Sequence, residues 1–297
     1  MFNEAGHSGI PLSISSGGFA RQGSLSDWAA ERMRHTWGTN VDGFDPPFVD
    51  KVAKAASKVF GPGRYFGLSM RGLEHIPDRP VMLVSNHSGG TSIPDVWGLA
   101  LAWYQHFGTG RPLHILAHDL LFALPATAKI FERLGVLRAS NPIARDVLAS
   151  GADVLIYPGG DVETWRPYSE RYQVNFAGRT GYARVALEMS VPIIPVAHAG
   201  SHETLRVLTS GRWLARALGL QRFARAQVCP ISLALPWGIA IGPLPHIPWP
   251  ANFRYLLGAA ISLPVVHSDS VKELDIKVRG AVQAQLEVLR QEQLHQK

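Results

Sequence analysis

Residues 81–95 read Val-Met-Leu-Val-Ser-Asn-His-Ser-Gly-Gly-Thr-Ser-Ile-Pro-Asp: an apolar run that stops at a polar turn carrying two glycines. The four large apolar residues Val81 to Val84 suit a strand buried on both faces. Pro94 fits the first turn of a helix that the following apolar residues carry to about His106. This strand, turn and helix set a rhythm that repeats downstream. Residues 113–117 and 153–157 read as strands, 125–134 and 142–150 as helices, 178–189 as a helix and 191–199 as a strand. Strands separated by helices predict the α/β class, with a mixed, largely parallel sheet flanked by helices.

The flanks of this core read differently. Residues 1–25 are rich in Gly and Ser without apolar periodicity, which predicts a flexible tail. Residues 26–64 form an N-terminal amphipathic helical appendage. Within it Phe48, Val52, Ala55, Ala56, Val59 and Phe60 make one stripe, and Lys51, Lys54 and Lys58 lie opposite. That helix either packs on the core or lies on a membrane with its lysines on lipid phosphates. Residues 65–297 are expected to form one catalytic domain. Past Gly200 come a basic helical stretch over 211–226, proline-punctuated strands or loops to Leu263, and a last helix capped by Ser268. The Trp and Pro residues of 235–250 suit an apolar tunnel, a lipid-dipping segment or plain core packing.

Composition narrows the function classes. The 297 residues are 46% hydrophobic and 18% charged, with 29 Lys and Arg against 23 Asp and Glu, a formal charge of +6. The single cysteine, Cys229, forms no internal disulfide and belongs to no CxxC pair, which favours a reducing compartment. No stretch reaches the ~18 uninterrupted apolar residues of a spanning helix. The richest, 228–244, is interrupted by Pro230, Pro236 and Pro243. The first twenty residues lack the basic and apolar regions of a secretory signal. A basic, apolar, unspanned chain suits an anionic membrane face, or equally a soluble enzyme with a basic surface. Nucleic-acid binding is disfavoured, because the basic residues are scattered rather than gathered on one element.

In α/β sheets, ligands bind in loops at the carboxyl ends of strands. Three polar loops should therefore converge: 86–95, 158–166 and 198–203. His87 and Asp95 lie in the first. An aspartate bonded to one ring nitrogen fixes the tautomer and makes the other nitrogen a general base. Asp95 could instead simply favour the start of its helix. No GxSxG elbow, Walker loop or GxGxxG fingerprint occurs. His198, His202 and Glu203 are a weaker metal-ligand candidate without an HExxH pattern, and His114 and His118 suit local hydrogen bonding.

In this order the blocks resemble the glycerolipid acyltransferase superfamily: the PlsC-like lysophospholipid acyltransferases, and especially the diacylglycerol-acyltransferase-like branch. The resemblance covers about 65–265. It rests on Ser85-Asn86-His87 through Asp95, Leu134-Gly-Val-Leu-Arg138, Tyr157-Pro-Gly-Gly160 to Glu163, and Val191-Pro-Ile-Ile-Pro-Val196. Two departures stand out. The family pattern puts four residues between His and Asp, whereas seven intervene here and Ser92 occupies the position after four. The usual Glu-Gly-Thr-Arg is replaced by Gly159-Gly160-Asp161-Val162-Glu163-Thr164, with the arginine displaced toward Arg166. That displacement favours a less phosphorylated acceptor, such as a neutral glycerolipid.

The resemblance implies transfer of a fatty acyl group from acyl-CoA or acyl-carrier protein to a hydroxyl of a glycerolipid or lysophospholipid. It assigns His87 as general base, Asp95 as its orienting partner, and Gly159 and Gly160 as oxyanion donors. Arg138, Glu163 and Arg166 are its acceptor-binding residues. No metal and no cofactor beyond the acyl donor are implied. The protein is expected to be peripheral on the cytoplasmic face of a membrane. Two competitors stay open, a thioesterase or lipid hydrolase on the same scaffold and a non-enzymatic lipid-binding protein.

Overall fold

The computed structural model describes residues 37–295 apart from 221, 223–225 and 266. The tail expected over 1–25, and the start of the appendage expected over 26–64, lie outside the described residues.

Helix α1 (Pro46–Ala56) begins where Asp45 accepts the Phe48 N–H at 3.0 Å and two prolines occupy the first turn. Strand β1 (Phe66–Arg71) follows. Strand β2 (Met82–Ser85) leads through a 3-10 turn, Gly90–Ser92, into α2 (Pro94–Phe107). The crossovers continue with β3 (Leu113–Ala117), α3 (Pro125–Arg133), β4 (Val136–Arg138) and α4 (Asn141–Ala149). Then come β5 (Asp153–Ile156), the short α5 (Gly160–Thr164), α6 (Gly181–Met189) and β6 (Ile193–Ala199). The remainder holds β7 (Arg206–Thr209), α7 (Arg212–Ala217), β8 (Ile231–Ala234), β9 (Gly238–Ile241), β10 (Ala251–Leu257) and α8 (Ser270–His295).

Seven strands form the main sheet in the order β1-β10-β6-β2-β5-β3-β4. The five from β6 to β4 are parallel, β10 is antiparallel to β6, and β1 is parallel to β10. The sheet is mixed and mostly parallel, as the alternation of strands and helices predicted. Its central strands are apolar because both faces are covered. Met82 and Val84 face α4, α6 and α8 together with Ile193, while Val81 and Leu83 face α2 together with Ile194 and Val196. Leu83 pairs with both Leu155 and Ile194, so a one-residue slip of β2 would exchange its two apolar faces. A second, antiparallel sheet has the order β7-β8-β9. Val207, Ala234 and Ala240 pack its inner face onto Val162 and Trp165.

Several boundaries differ from the sequence reading. Helix α1 stops at Ala56, and Phe60 instead bridges to Phe66. Its inward side, Val49 with Ala53 and Ala56, is covered by the core, whereas Ala55 and Val59 are exposed. Part of the apolar face of this helix is therefore used within the fold. Helix α6 starts three residues later than expected, and α8 starts at Ser270 rather than after a Ser268 cap. Within the basic stretch 211–226, α7 covers 212–217, and Leu220 and Arg222 are again helical. Strand β1 escaped the reading because its alternating Phe-Gly-Leu-Ser-Met-Arg lacks a continuous apolar run.

Candidate active site

The carboxyl ends of β2, β5 and β6 meet at one place. Asn86, the first residue beyond β2, is clamped to β6: its Nδ2 donates to the His198 carbonyl at 2.9 Å, and its Oδ1 accepts the His198 N–H at 2.8 Å. His87 follows. The chain then turns through Gly90, at φ +67°, where a Cβ would stand 2.6 Å from Leu205 Cδ2 and 2.8 Å from His246 Cε1. Ile93, at φ +38°, adopts a left-handed conformation uncommon for a β-branched residue and redirects the chain into α2. The 3-10 turn takes up the extra residues of the loop and folds the first turn of α2 back. Asp95 Oδ2 thereby comes 2.6 Å from His87 Nδ1. Ser92 faces away and donates to the His246 carbonyl at 3.2 Å.

Asp95 is fully buried and also accepts the Ser88 N–H at 3.0 Å. Burial pushes its carboxyl upward. The charge and hydrogen bond of His87, the His198 ring and the Ser88 N–H outweigh burial and hold it below its ordinary value. An ionised carboxylate only accepts, so the proton of the contact sits on Nδ1, and in the neutral ring Nε2 carries the lone pair. Nε2 has no hydrogen-bond partner among the described residues, and 12% of the side chain is exposed. The ring lies against Tyr157, with centroids 4.6 Å apart. Tyr255 donates its hydroxyl proton to the Asp95 carbonyl at 2.8 Å, which fixes the start of α2 from the opposite side.

Behind the pair lies a buried polar cluster. His198 Nε2 is 2.7 Å from Ser201 Oγ, and the Ser88 and Ser201 hydroxyls are hydrogen-bonded. Burial brings His198 down to about 4, against the pull of Asp95, so it is neutral near pH 7. The metal reading of 198–203 is not what the fold builds. Glu203 accepts from the Tyr168 hydroxyl at 2.7 Å, and no cluster of three or more His, Cys, Asp or Glu is arranged for a metal among the described residues.

The 158–166 loop sits beneath His87. Glu163 Oε2 accepts the His87 N–H at 3.1 Å, while Oε1 accepts Arg166 Nη1 at 2.7 Å and the Asn175 N–H at 3.0 Å. Both Glu163 and Arg166 are buried, and this corrects the expectation that they meet an acceptor head group. In the single turn of α5 and its exit, positions three apart share a side, and here that side faces inward. The pair braces the backbone of the His87 loop. Burial raises the Glu163 carboxyl despite Arg166 and the Asn175 N–H.

Arg179 holds the glycines from outside by donating to the carbonyls of Pro158 (3.1 Å) and Gly159 (2.8 Å) and to Asp161 (2.7 Å). A Cβ on Gly159 would collide with the Glu163 carboxylate and the Asn175 carbonyl. The Gly160 N–H donates to the Tyr157 carbonyl at 3.1 Å, so one of the two expected oxyanion donors is engaged in a turn. Arg138, at the end of β4, is buried against Trp37, Asp119 and Phe122 rather than joined to the His87 loop.

Sequence reasoning did not single out Tyr157, Asn175, Arg179 or Ser201. It weighed His198 only as a metal ligand. The period of two along β6 carried the better signal, since it sets His198 on the face of Ile194 and Val196, toward α2.

Residues 67–199, from β1 through β6, match the family model described as Acyltransferase. The chain is 28% identical over 245 residues to the Mycobacterium tuberculosis protein named Uncharacterized protein Rv0502, covering 82% of this chain and 63% of that one. The chain thus spans about 63% of the length of these mycobacterial relatives. It is 28% identical over 259 residues to the Gallus gallus protein named DGAT1/2-independent enzyme synthesizing storage lipids, covering 85% of this chain and 70% of that one. A solved structure, the 1-acyl-sn-glycerophosphate (LPA) acyltransferase PlsC from Thermotoga maritima, superposes with a TM-score of 0.48 at 17% identity over 82% of this chain and 78% of that one. The matched segment, residues 67–199, is similar to that family model and holds both His87 and Asp95.

Proposed function

We propose that the protein transfers a fatty acyl group from an acyl thioester, acyl-CoA or acyl-carrier protein, to a hydroxyl of a glycerolipid or lysophospholipid. The carrying observation is the 2.6 Å contact between His87 Nδ1 and the buried carboxylate of Asp95, with Nε2 left unpartnered. Nε2 takes the proton of the acceptor hydroxyl as its oxygen attacks the thioester carbonyl. The C–S bond then breaks, and the imidazolium returns the proton to the departing thiolate, giving an ester and a free thiol. Asp95 orients the ring and stabilises the imidazolium. The Gly160 N–H is occupied, so the Gly159 N–H is the donor this glycine pair offers to the oxyanion. The scheme calls for no nucleophilic side chain. The acceptor is lipid, which accords with work at a membrane surface, on its cytoplasmic face.

The relative named as an enzyme synthesizing storage lipids supports a neutral glycerolipid acceptor. So does the burial of Arg166 against Glu163, which withdraws the arginine that would meet an acceptor phosphate. Incubating the protein with radiolabelled acyl-CoA and candidate glycerolipids, and identifying the labelled product, tests the reading. Acylated lipid is expected, with His87→Ala lowering its rate by ~10²–10⁴-fold. Release of free fatty acid at one rate with or without acceptor would replace the transferase by a hydrolase.

A further inference from the structure

Acidic residues are absent from one long stretch of the chain. From Thr204 to Ser268 there is no Asp or Glu, and there are six arginines: Arg206, Arg212, Arg216, Arg222, Arg225 and Arg254. The stretch carries the entire formal charge of +6, because the remaining 23 basic and 23 acidic residues cancel. The arginines looked scattered along the sequence; the charge imbalance is not. This same stretch builds the second sheet.

In that sheet Leu233 stands opposite Ile239, and Ile231 opposite Ile241. Directly opposed residues of antiparallel strands point to one face. The other face, through Ser232, Ala234 and Ala240, is buried. Aliphatic side chains therefore project outward from both strands. The turn between the strands adds Leu235 and Trp237, and the following loop adds Ile247. Ile239 is 67% exposed and Trp237 53%. Ten of the nineteen exposed large apolar side chains among the described residues fall between Leu208 and Ile247. Helix α7 starts next to this sheet, its entry tied to the residues leading into β8 by the Cys229 N–H on the Ser210 carbonyl at 3.1 Å. It presents an exposed Trp213 between Arg212 and Arg216, neither of which is ion-paired among the described residues.

We propose that the open face of β8 and β9, with the basic helix α7, is the surface by which the protein docks on an anionic lipid bilayer. Apolar side chains enter the boundary between head groups and acyl chains, tryptophans sit at the interface, and arginines meet phosphates. Charge decides the occupant. A second copy of this chain would set the unpaired Arg212 and Arg216 of one helix α7 against those of another, whereas anionic lipid complements them. The docked face also adjoins the candidate active site. Thr91 Oγ1 donates to the Leu244 carbonyl at 3.0 Å and Ser92 Oγ to that of His246 at 3.2 Å, so the loop closing the small sheet is bonded to the turn between His87 and Asp95. Delivery of lipid to that turn rests on the proposed function; docking itself does not.

Co-sedimentation with vesicles of equal parts phosphatidylcholine and phosphatidylglycerol tests the proposal. The Trp237→Ser/Ile239→Ser/Ile241→Ser variant should partition at least about tenfold less than wild type. Arg212→Glu/Arg216→Glu should lose about as much on these vesicles while leaving the weak binding to pure phosphatidylcholine unchanged. Val288→Ser, on exposed α8, should bind as wild type. A bromine-labelled lipid should quench the fluorescence that Trp237→Phe removes, a measurement that needs no disruptive variant. Undiminished binding by the triple variant, absence of quenching, or a wild-type dimer that the triple variant turns into a monomer overturns the proposal. His87→Ala should bind vesicles normally, so failure of docking and failure of catalysis are read separately.

Discussion

Strands β2 and β9 are both four residues long and largely aliphatic, Met-Leu-Val-Ser and Gly-Ile-Ala-Ile, yet every residue of β2 is buried and only Ala240 of β9 is. The difference lies in how the strands are joined. Parallel strands need long crossovers, and helices in those crossovers cover both faces of the main sheet. The small sheet is antiparallel, and β8 and β9 are joined by a tight turn that brings no covering helix. Identical side-chain chemistry therefore stabilises the fold in one sheet and presents an adhesive surface in the other.

The sharpest break between the two regions is catalytic. His87→Ala, at the end of β2, should lower acyl transfer by ~10²–10⁴-fold, measured on a water-soluble short-chain acceptor on which the β9 face variants retain their turnover. Next in size is Glu163→Ala, which strands the buried Arg166 charge and should cost about 3–5 kcal/mol of unfolding free energy in urea titration. Ile194→Ala, in the doubly covered β6, should cost about 2–5 kcal/mol in the same titration.

A smaller, graded effect comes with pH. His198 is held down to about 4 in the fold, whereas an unfolded histidine titrates near ~6.5. Between these values the unfolded chain binds more protons, so stability rises with pH and is lost as pH falls from ~6.5 towards 4. Asp95, also depressed, adds loss in the same direction through the carboxylate range. Urea midpoints measured across this window should fall steadily on acidification. The smallest effect is expected at Ile239→Ala on the open face, within about 0.5 kcal/mol of wild-type stability. A cost there as large as at Ile194 would mean that the face is covered within the fold, and the contrast between the sheets would collapse.

Much of the main sheet was legible because its strands are uninterrupted apolar runs set between helical patterns. Its antiparallel edge was less so. Strand β1 alternates and is half exposed, and β10 lies within a proline-punctuated region whose pairing is with distant chain. The His87 loop was legible as a loop. The resemblance named Asp95 as the partner of its ring although the family spacing falls on Ser92, and the Gly90–Ser92 turn with the left-handed Ile93 shows how the longer loop brings Asp95 to the contact. Glu163 and Arg166 looked like surface recognition groups; the inward side of a one-turn helix made them an internal brace.

Residue order alone determined the α/β class, the polar loop after β2 and the absence of acidic residues from 204–268. These follow from local periodicity and composition, which need no knowledge of distant neighbours. Tertiary structure alone decided how the lengthened loop folds to carry Asp95 to His87, that Glu163 turns inward, and that the apolar residues of β8 and β9 remain uncovered. Each of those outcomes depends on which surfaces the chain brings together across long separations, and no short-range pattern encodes that.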